Sequence, residues 1–126
     1  MTLVLDAGAL VAVERGSRAL FTVIKRECLA GRVPVTYGGV VGQVWRGGSG
    51  RQAGLARLLP HLEITPLDAE LGKRAGMLLS QTGGSDAIDA AVVLLAGDDD
   101  LILTSAPDDL VALAAASRIH VEIVGM

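Results

Sequence analysis

Five short apolar runs, each followed or preceded by a segment of helical periodicity, constrain this chain more than any other feature. "TLVLD" opens the series and stops at Asp6, and "RVPVTY", "LEITPL", "LILTS" and "IHVEIV" continue it. Between them lie "AGALVAVERG", a short helix closed by Gly16, and a second helix that Ser17 caps and that runs to Gly31. "GGVVGQVWRGG" and "RQAGLARLLPHL" read as two further helices, and "DAELGKRAGMLLSQTGG" as a capped helix ending at a glycine pair. "SDAIDAAVVLLA" and "PDDLVALAAAS" complete the set. Strands that alternate with helices pair in parallel and bury both faces of their sheet. The expected architecture is therefore α/β, a three-layer sandwich with a central parallel sheet flanked by helices. Residues 1–126 suit one domain with one core. With one Trp, one Tyr and one Phe against 51% hydrophobic residues, that core is aliphatic. Trp45 is expected to anchor it, with Gly38, Gly39 and Gly42 allowing close helix packing.

Several function classes fall away on composition. No apolar run approaches the roughly 18 residues of a membrane span, and no basic region precedes the first apolar stretch, so neither a membrane partner nor a signal peptide is expected. The single cysteine, Cys28, fits a reducing cytoplasm. His61 and His120 are too few for a zinc cluster, which leaves a hard cation held by oxygen as the metal to consider. Charge is distributed unevenly. Residues 1–62 carry eight Lys/Arg against three Asp/Glu, and residues 63–126 carry three against eleven. No acid stands between Arg32 and Glu63, while Arg46, Arg51 and Arg57 do. Such a window suits a polyanion, although solvated helix faces produce the same pattern.

Chemistry in an open parallel sheet gathers beyond the carboxyl ends of the strands, at the switch point in strand order. Asp6 ends the first strand, Asp86 and Asp89 open a helix, and Asp108 and Asp109 follow "LILTS" closely. Four or five carboxylates can thus meet at one edge, tolerable there only with protons or a cation to neutralise them. Asp86, behind Ser85, has the position of a helix cap. Asp89 is surrounded by Ala90, Ala91 and Val92 and has no such structural excuse. Asp98, Asp99 and Asp100 read as a solvated turn at the opposite edge.

Taken in order, "LVLDAGAL", "VGQVWRGG", "SDAIDAAVVLLA" and "LILTSAPDDL" resemble the PIN-domain family, in particular the VapC-like toxin ribonucleases of bacterial toxin–antitoxin pairs. The resemblance spans essentially the whole chain. It implies a PIN-like fold and a Mg²⁺- or Mn²⁺-dependent endoribonuclease, dimeric and neutralised by a cognate antitoxin. It further implies that Asp6, Asp89 and Asp108 hold the metal, with Asp86 as an accessory acid. Gln43 would position water or a ligand, and Arg46 and Arg51 would contact the RNA backbone. The chain departs from the pattern at three places. Gln43 stands where a glutamate is usual, Ala106 where an aspartate is usual, and Gly8 where a hydroxyl residue is frequent. A PIN module that binds RNA or a partner without cutting is the competing expectation.

Other assignments fit less well. A receiver domain needs an acid pair at the first strand and a late lysine, and both are absent. A haloacid-dehalogenase phosphatase needs an aspartate where Gly8 stands, and neither phosphate-loop pattern occurs among the glycines of "GGVVGQVWRGG".

Overall fold

A computed structural model describes residues 1–126. Five strands form one parallel sheet: β1 (Leu3–Leu5), β2 (Val35–Tyr37), β3 (Glu63–Thr65), β4 (Leu101–Thr104) and β5 (Glu122–Gly125). Their order is β3-β2-β1-β4-β5, so the chain builds outward from β1 in one direction and then in the other. The switch point lies between β1 and β4, where Leu5 pairs with Leu103 and the Asp6 N–H donates to the Leu103 carbonyl (3.3 Å).

Seven helices cover the sheet. α1 (Ala7–Glu14), α2 (Arg18–Leu29), α3 (Gly38–Val44) and α4 (Ala53–Leu58) pack around α1. α5 (Ala69–Thr82), α6 (Ala87–Leu95) and α7 (Pro107–Ser117) pack on one another in a second group. Between them runs one cluster of 27 buried residues, aliphatic save for Tyr37, which is fully buried. The three-layer sandwich follows directly from the alternation in the sequence. Local signals set most boundaries. Ser17 Oγ accepts from Leu20 N–H at the start of α2, Asp68 Oδ1 from Leu71 N–H at the start of α5, and Gly83 closes α5 at φ 71°.

The structure corrects four readings. α3 ends at Val44, and Trp45 turns out of the helix in an extended conformation, so its side chain is 36% exposed rather than a core anchor. Gly39 and Gly38 allow close approach, of the Tyr37 ring and of Leu67 respectively, but nothing lies within 4 Å of a Cβ at Gly42. "RQAGLARLLPHL" contains only six α-helical residues, framed by 3-10 turns at Gly50–Gln52 and Leu59–His61. The aspartate triplet forms the expected turn before β4, with Asp98 and Asp99 exposed, and its side chains also tie neighbouring segments to it. Asp100 accepts from the N–H groups of Thr2 (2.7 Å) and Gly97 (2.8 Å), and Asp98 from His120 N–H (2.8 Å). The Asp98 bond, with the Asp99 N–H donating to the His120 carbonyl (2.7 Å), holds the α7–β5 connection at His120, and β5 begins at Glu122 rather than at Ile119.

Candidate functional site

Three helix amino termini meet the carboxyl edge of the sheet, and each carries an acid. Asp6 caps α1: its Oδ1 accepts from Ala9 N–H (3.0 Å), and the side chain is buried at 8% exposure. Asp86 caps α6, its Oδ1 accepting from Ile88 N–H (3.0 Å) and Asp89 N–H (3.1 Å). The α6 terminus is held at this edge by Tyr37, at the end of β2, whose hydroxyl donates to the Ile88 carbonyl (3.2 Å). Asp108 and Asp109 lie in the first turn of α7, behind Pro107. Successive helical residues project about 100° apart, so only one of that pair can face α6. It is Asp109, which with Asp86 and Asp89 lines a cleft of about 290 Å³ between the end of α5, the start of α6 and α7.

Electrostatics report how close these acids are. The Asp89 carboxyl is pushed up from 3.8 to about 6, first by burial and then by the charges of Asp86, Asp109 and Asp6, with a hydrogen bond to the Asp86 side chain adding to the effect. The amino terminus of a helix ordinarily favours a carboxylate, so crowding and burial outweigh the dipole here. Tyr37 is pushed up to about 12 by burial, then by the charges of Asp86 and Asp89, and stays a hydrogen-bond donor at neutral pH.

The donor set suits a hard cation in chemistry. Asp6 and Asp86 each commit one oxygen to a helix cap and keep the other free, while Asp89 and Asp109 have no backbone partner. No three of these acids converge on one point as they stand, so cation binding requires the carboxylates to draw inward. Mg²⁺ asks for only one or two of them and retains its waters.

The remaining expected residues lie elsewhere. Asp108 is exposed on the far side of the α7 turn from the cleft. Gln43 is exposed on α3 and does not line the cleft. Ala106 precedes α7 without a side-chain cap, its N–H donating to Thr104 Oγ1 (3.0 Å). A Cβ at Gly8 would overlap Ser105 Oγ and stand 2.6 Å from Ser105 Cβ, so the hydroxyl of the residue just past β4 occupies the space left by the glycine. Arg46 and Arg51 are exposed. Two residues that matter to the site carried no signal in the sequence. Tyr37 is one, and its nearest cue was being the only tyrosine in an aliphatic chain. Gln52 is the other. It is buried, donates to Glu14 Oε1 (2.6 Å) and the Val44 carbonyl (2.7 Å), and accepts from Arg46 N–H (2.8 Å) and Gly48 N–H (3.2 Å).

No sequence-family model and no curated protein matches the chain. Solved structures do. VapBC2 from Rickettsia felis, bound to a DNA fragment from their promoter, matches with a TM-score of 0.67 at 14% identity, over 98% of this chain and 99% of that one. VapC20 from Mycobacterium tuberculosis, a sarcin–ricin loop cleaving toxin, matches with a TM-score of 0.54 at 20% identity, over 75% of this chain and 80% of that one. The chain has a VapC-like PIN fold. No helix is long and apolar enough to cross a membrane.

Proposed function

We propose that this protein is a divalent-cation-dependent endoribonuclease, the toxin of a toxin–antitoxin pair, acting in the cytoplasm as a homodimer and restrained by a cognate antitoxin. The observation that carries the reading is the gathering of Asp6, Asp86, Asp89 and Asp109 at the switch-point edge, where burial and then the charges of the other three push Asp89 to about 6. A carboxyl raised by burial and by neighbouring acids is costly to stability, and such groups cluster at functional sites. The fold shared with VapBC2 and with the RNA-cleaving VapC20 supports the choice of substrate.

Asp6, Asp86 and Asp89 are the residues that would hold Mg²⁺ or Mn²⁺, with Asp109 in the role first assigned to Asp108. Bound there, the cation would activate water and offset charge developing on the phosphodiester. The chain's own residues prepare that pocket. Asp86 and Tyr37 fix the first turn of α6, one through its cap and the other through the Ile88 carbonyl, so the Asp89 carboxyl is held toward the cleft. Asp6 is fixed by its own cap on α1. Arg46 and Arg51, from the window without acids, contact the RNA backbone, and Gln43 on the exposed side of α3 serves substrate rather than cation.

Titration calorimetry with Mn²⁺ and a cleavage assay on single-stranded RNA test the proposal together. Asp6→Asn is expected to weaken metal binding and abolish cleavage. Absence of binding at millimolar metal, with cleavage unchanged in Asp6→Asn, would overturn it. A second reading, a module that binds RNA without cutting, draws on the lack of three convergent acids and on Ala106. RNA binding without cleavage under saturating Mn²⁺ would select it.

A further inference from the structure

We infer that Trp45 is a rigid stacking platform for an unpaired nucleic-acid base, set beside Arg46, which holds a flanking phosphate. This deepens the ribonuclease reading and rests on it for the identity of the ligand as RNA. The chain's only tryptophan sits where a structural role fails to account for it. It lies just past the end of α3, 36% exposed, while its neighbour Val44 is buried in the core. Its six-membered ring rests on Gly48, where a Cβ would overlap Cη2 and stand 2.6 Å from Cζ2. Gly47, Gly48 and Gly50 take φ values of 130°, 72° and 57°, so the loop carrying the ring depends on glycine for its shape.

That loop is fastened from inside. Gln52 accepts from the N–H groups of Arg46 and Gly48 and donates to the Val44 carbonyl and to Glu14, so a fully satisfied buried amide ties the Trp45–Gly48 segment to α1. A satisfied buried network of this kind rigidifies what it touches. An aromatic ring held in place loses little freedom when a base stacks on it.

Charge selects the occupant. Arg46 Nη1 donates to the carbonyls of Trp45 (2.6 Å) and Gly42 (3.1 Å), which places the guanidinium against the base of the ring and leaves its other nitrogens free. The only salt bridge in the molecule joins Arg32 to Glu27, so Arg46, Arg51 and Arg57 have no carboxylate partner. The one acid in the network, Glu14, is occupied by Gln52. An exposed ring beside an unpaired arginine is the combination by which single strands are bound, with stacking on the base and charge on the backbone. The platform also lies within reach of the acidic edge. Asp6 and Glu14 mark the two ends of α1, about 12 Å apart at 1.5 Å per residue, so a single strand crossing α1 could engage both places.

The single tryptophan provides its own reporter. Asp89→Asn, a background that binds without cutting, is titrated with a single-stranded oligoribonucleotide and with the same sequence as a duplex, following intrinsic fluorescence. Saturable quenching by the single strand and much weaker quenching by the duplex are expected. In the same background, anisotropy of a labelled strand should show Trp45→Leu binding roughly tenfold more weakly and Trp45→Phe nearly as well as the parent. Equal affinity of Trp45→Leu and its parent, or equal quenching by duplex, overturns the inference. So does a fluorescence change on concentrating the protein without RNA, which would assign the ring to an interface between copies. The two readings fail separately. Tryptophan-dependent binding by a wild-type protein that never cleaves would remove the nuclease and leave the platform. Unaltered cleavage and affinity in Trp45→Leu would remove the platform and leave the nuclease.

Discussion

Replacing Asp89 by asparagine should make the protein more stable and inactive at once. Burial, then the charges of Asp86, Asp109 and Asp6, carry the Asp89 carboxyl from 3.8 to about 6. A displacement of about two pH units is worth roughly 3 kcal/mol at face value. The side chain keeps some contact with water, and screening brings this to on the order of 1–2 kcal/mol. The sign follows from proton affinity. A carboxyl whose folded-state pKa lies above its unfolded value binds its proton more tightly when folded. Its contribution to stability is therefore complete below about pH 4 and is lost as pH rises through about 6. Asp89→Asn removes the charge at nearly constant volume. At about pH 7.5 the variant should exceed the parent by ~1–2 kcal/mol, and the two should converge near pH 4. Urea unfolding followed by circular dichroism resolves this, since the expected midpoint shift is about 0.5–1 M for a slope near 2 kcal/mol/M. Mn²⁺ should raise the midpoint of the parent and leave that of the variant almost unmoved. A variant less stable than the parent at neutral pH, or a difference that does not change between pH 4 and 7.5, refutes the account of an Asp89 carboxyl raised by burial and neighbouring charge.

Two further substitutions probe the supports of the site. Gln52→Ala leaves the Val44 carbonyl without its partner in a buried position and the N–H groups of Arg46 and Gly48 in partly buried ones, at a cost of about 1–3 kcal/mol in urea unfolding. An unchanged midpoint would show that the Trp45–Gly48 loop is held by something else. Ala106→Asp supplies α7 with the side-chain cap it lacks, worth about 1 kcal/mol, and brings a further carboxylate to the edge. Tighter Mn²⁺ binding by calorimetry is the expected outcome, and weaker or unchanged binding would place position 106 away from the cation.

What the sequence disclosed and what it withheld divide along one physical line. The sheet, the helix order and the caps at Ser17, Asp68, Asp86 and Gly83 rest on spacing within a few residues, so they were legible. Tyr37 and Gln52 were not, because their partners lie 51 and 38 positions away in the chain. Asp109 was hidden behind Asp108 by helix phase, which adjacent identical residues cannot reveal. Trp45 was misplaced because an apolar residue next to a helix is ordinarily buried, and here α3 ended one residue too early. The same division separates the two aspartates of α6. Asp86 is explained locally, by two backbone bonds that any capping residue in its place could make. Asp89 is not explained locally, since its N–H is satisfied by Asp86 while its half-buried carboxyl, already beside Asp86 one turn back, is also met by Asp6 and Asp109, which the pairing of β1 with β4 brings to it. Stability alone would replace Asp89 with a neutral residue. Its retention, at a cost the fold makes measurable, is the physical argument that this edge of the sheet serves chemistry.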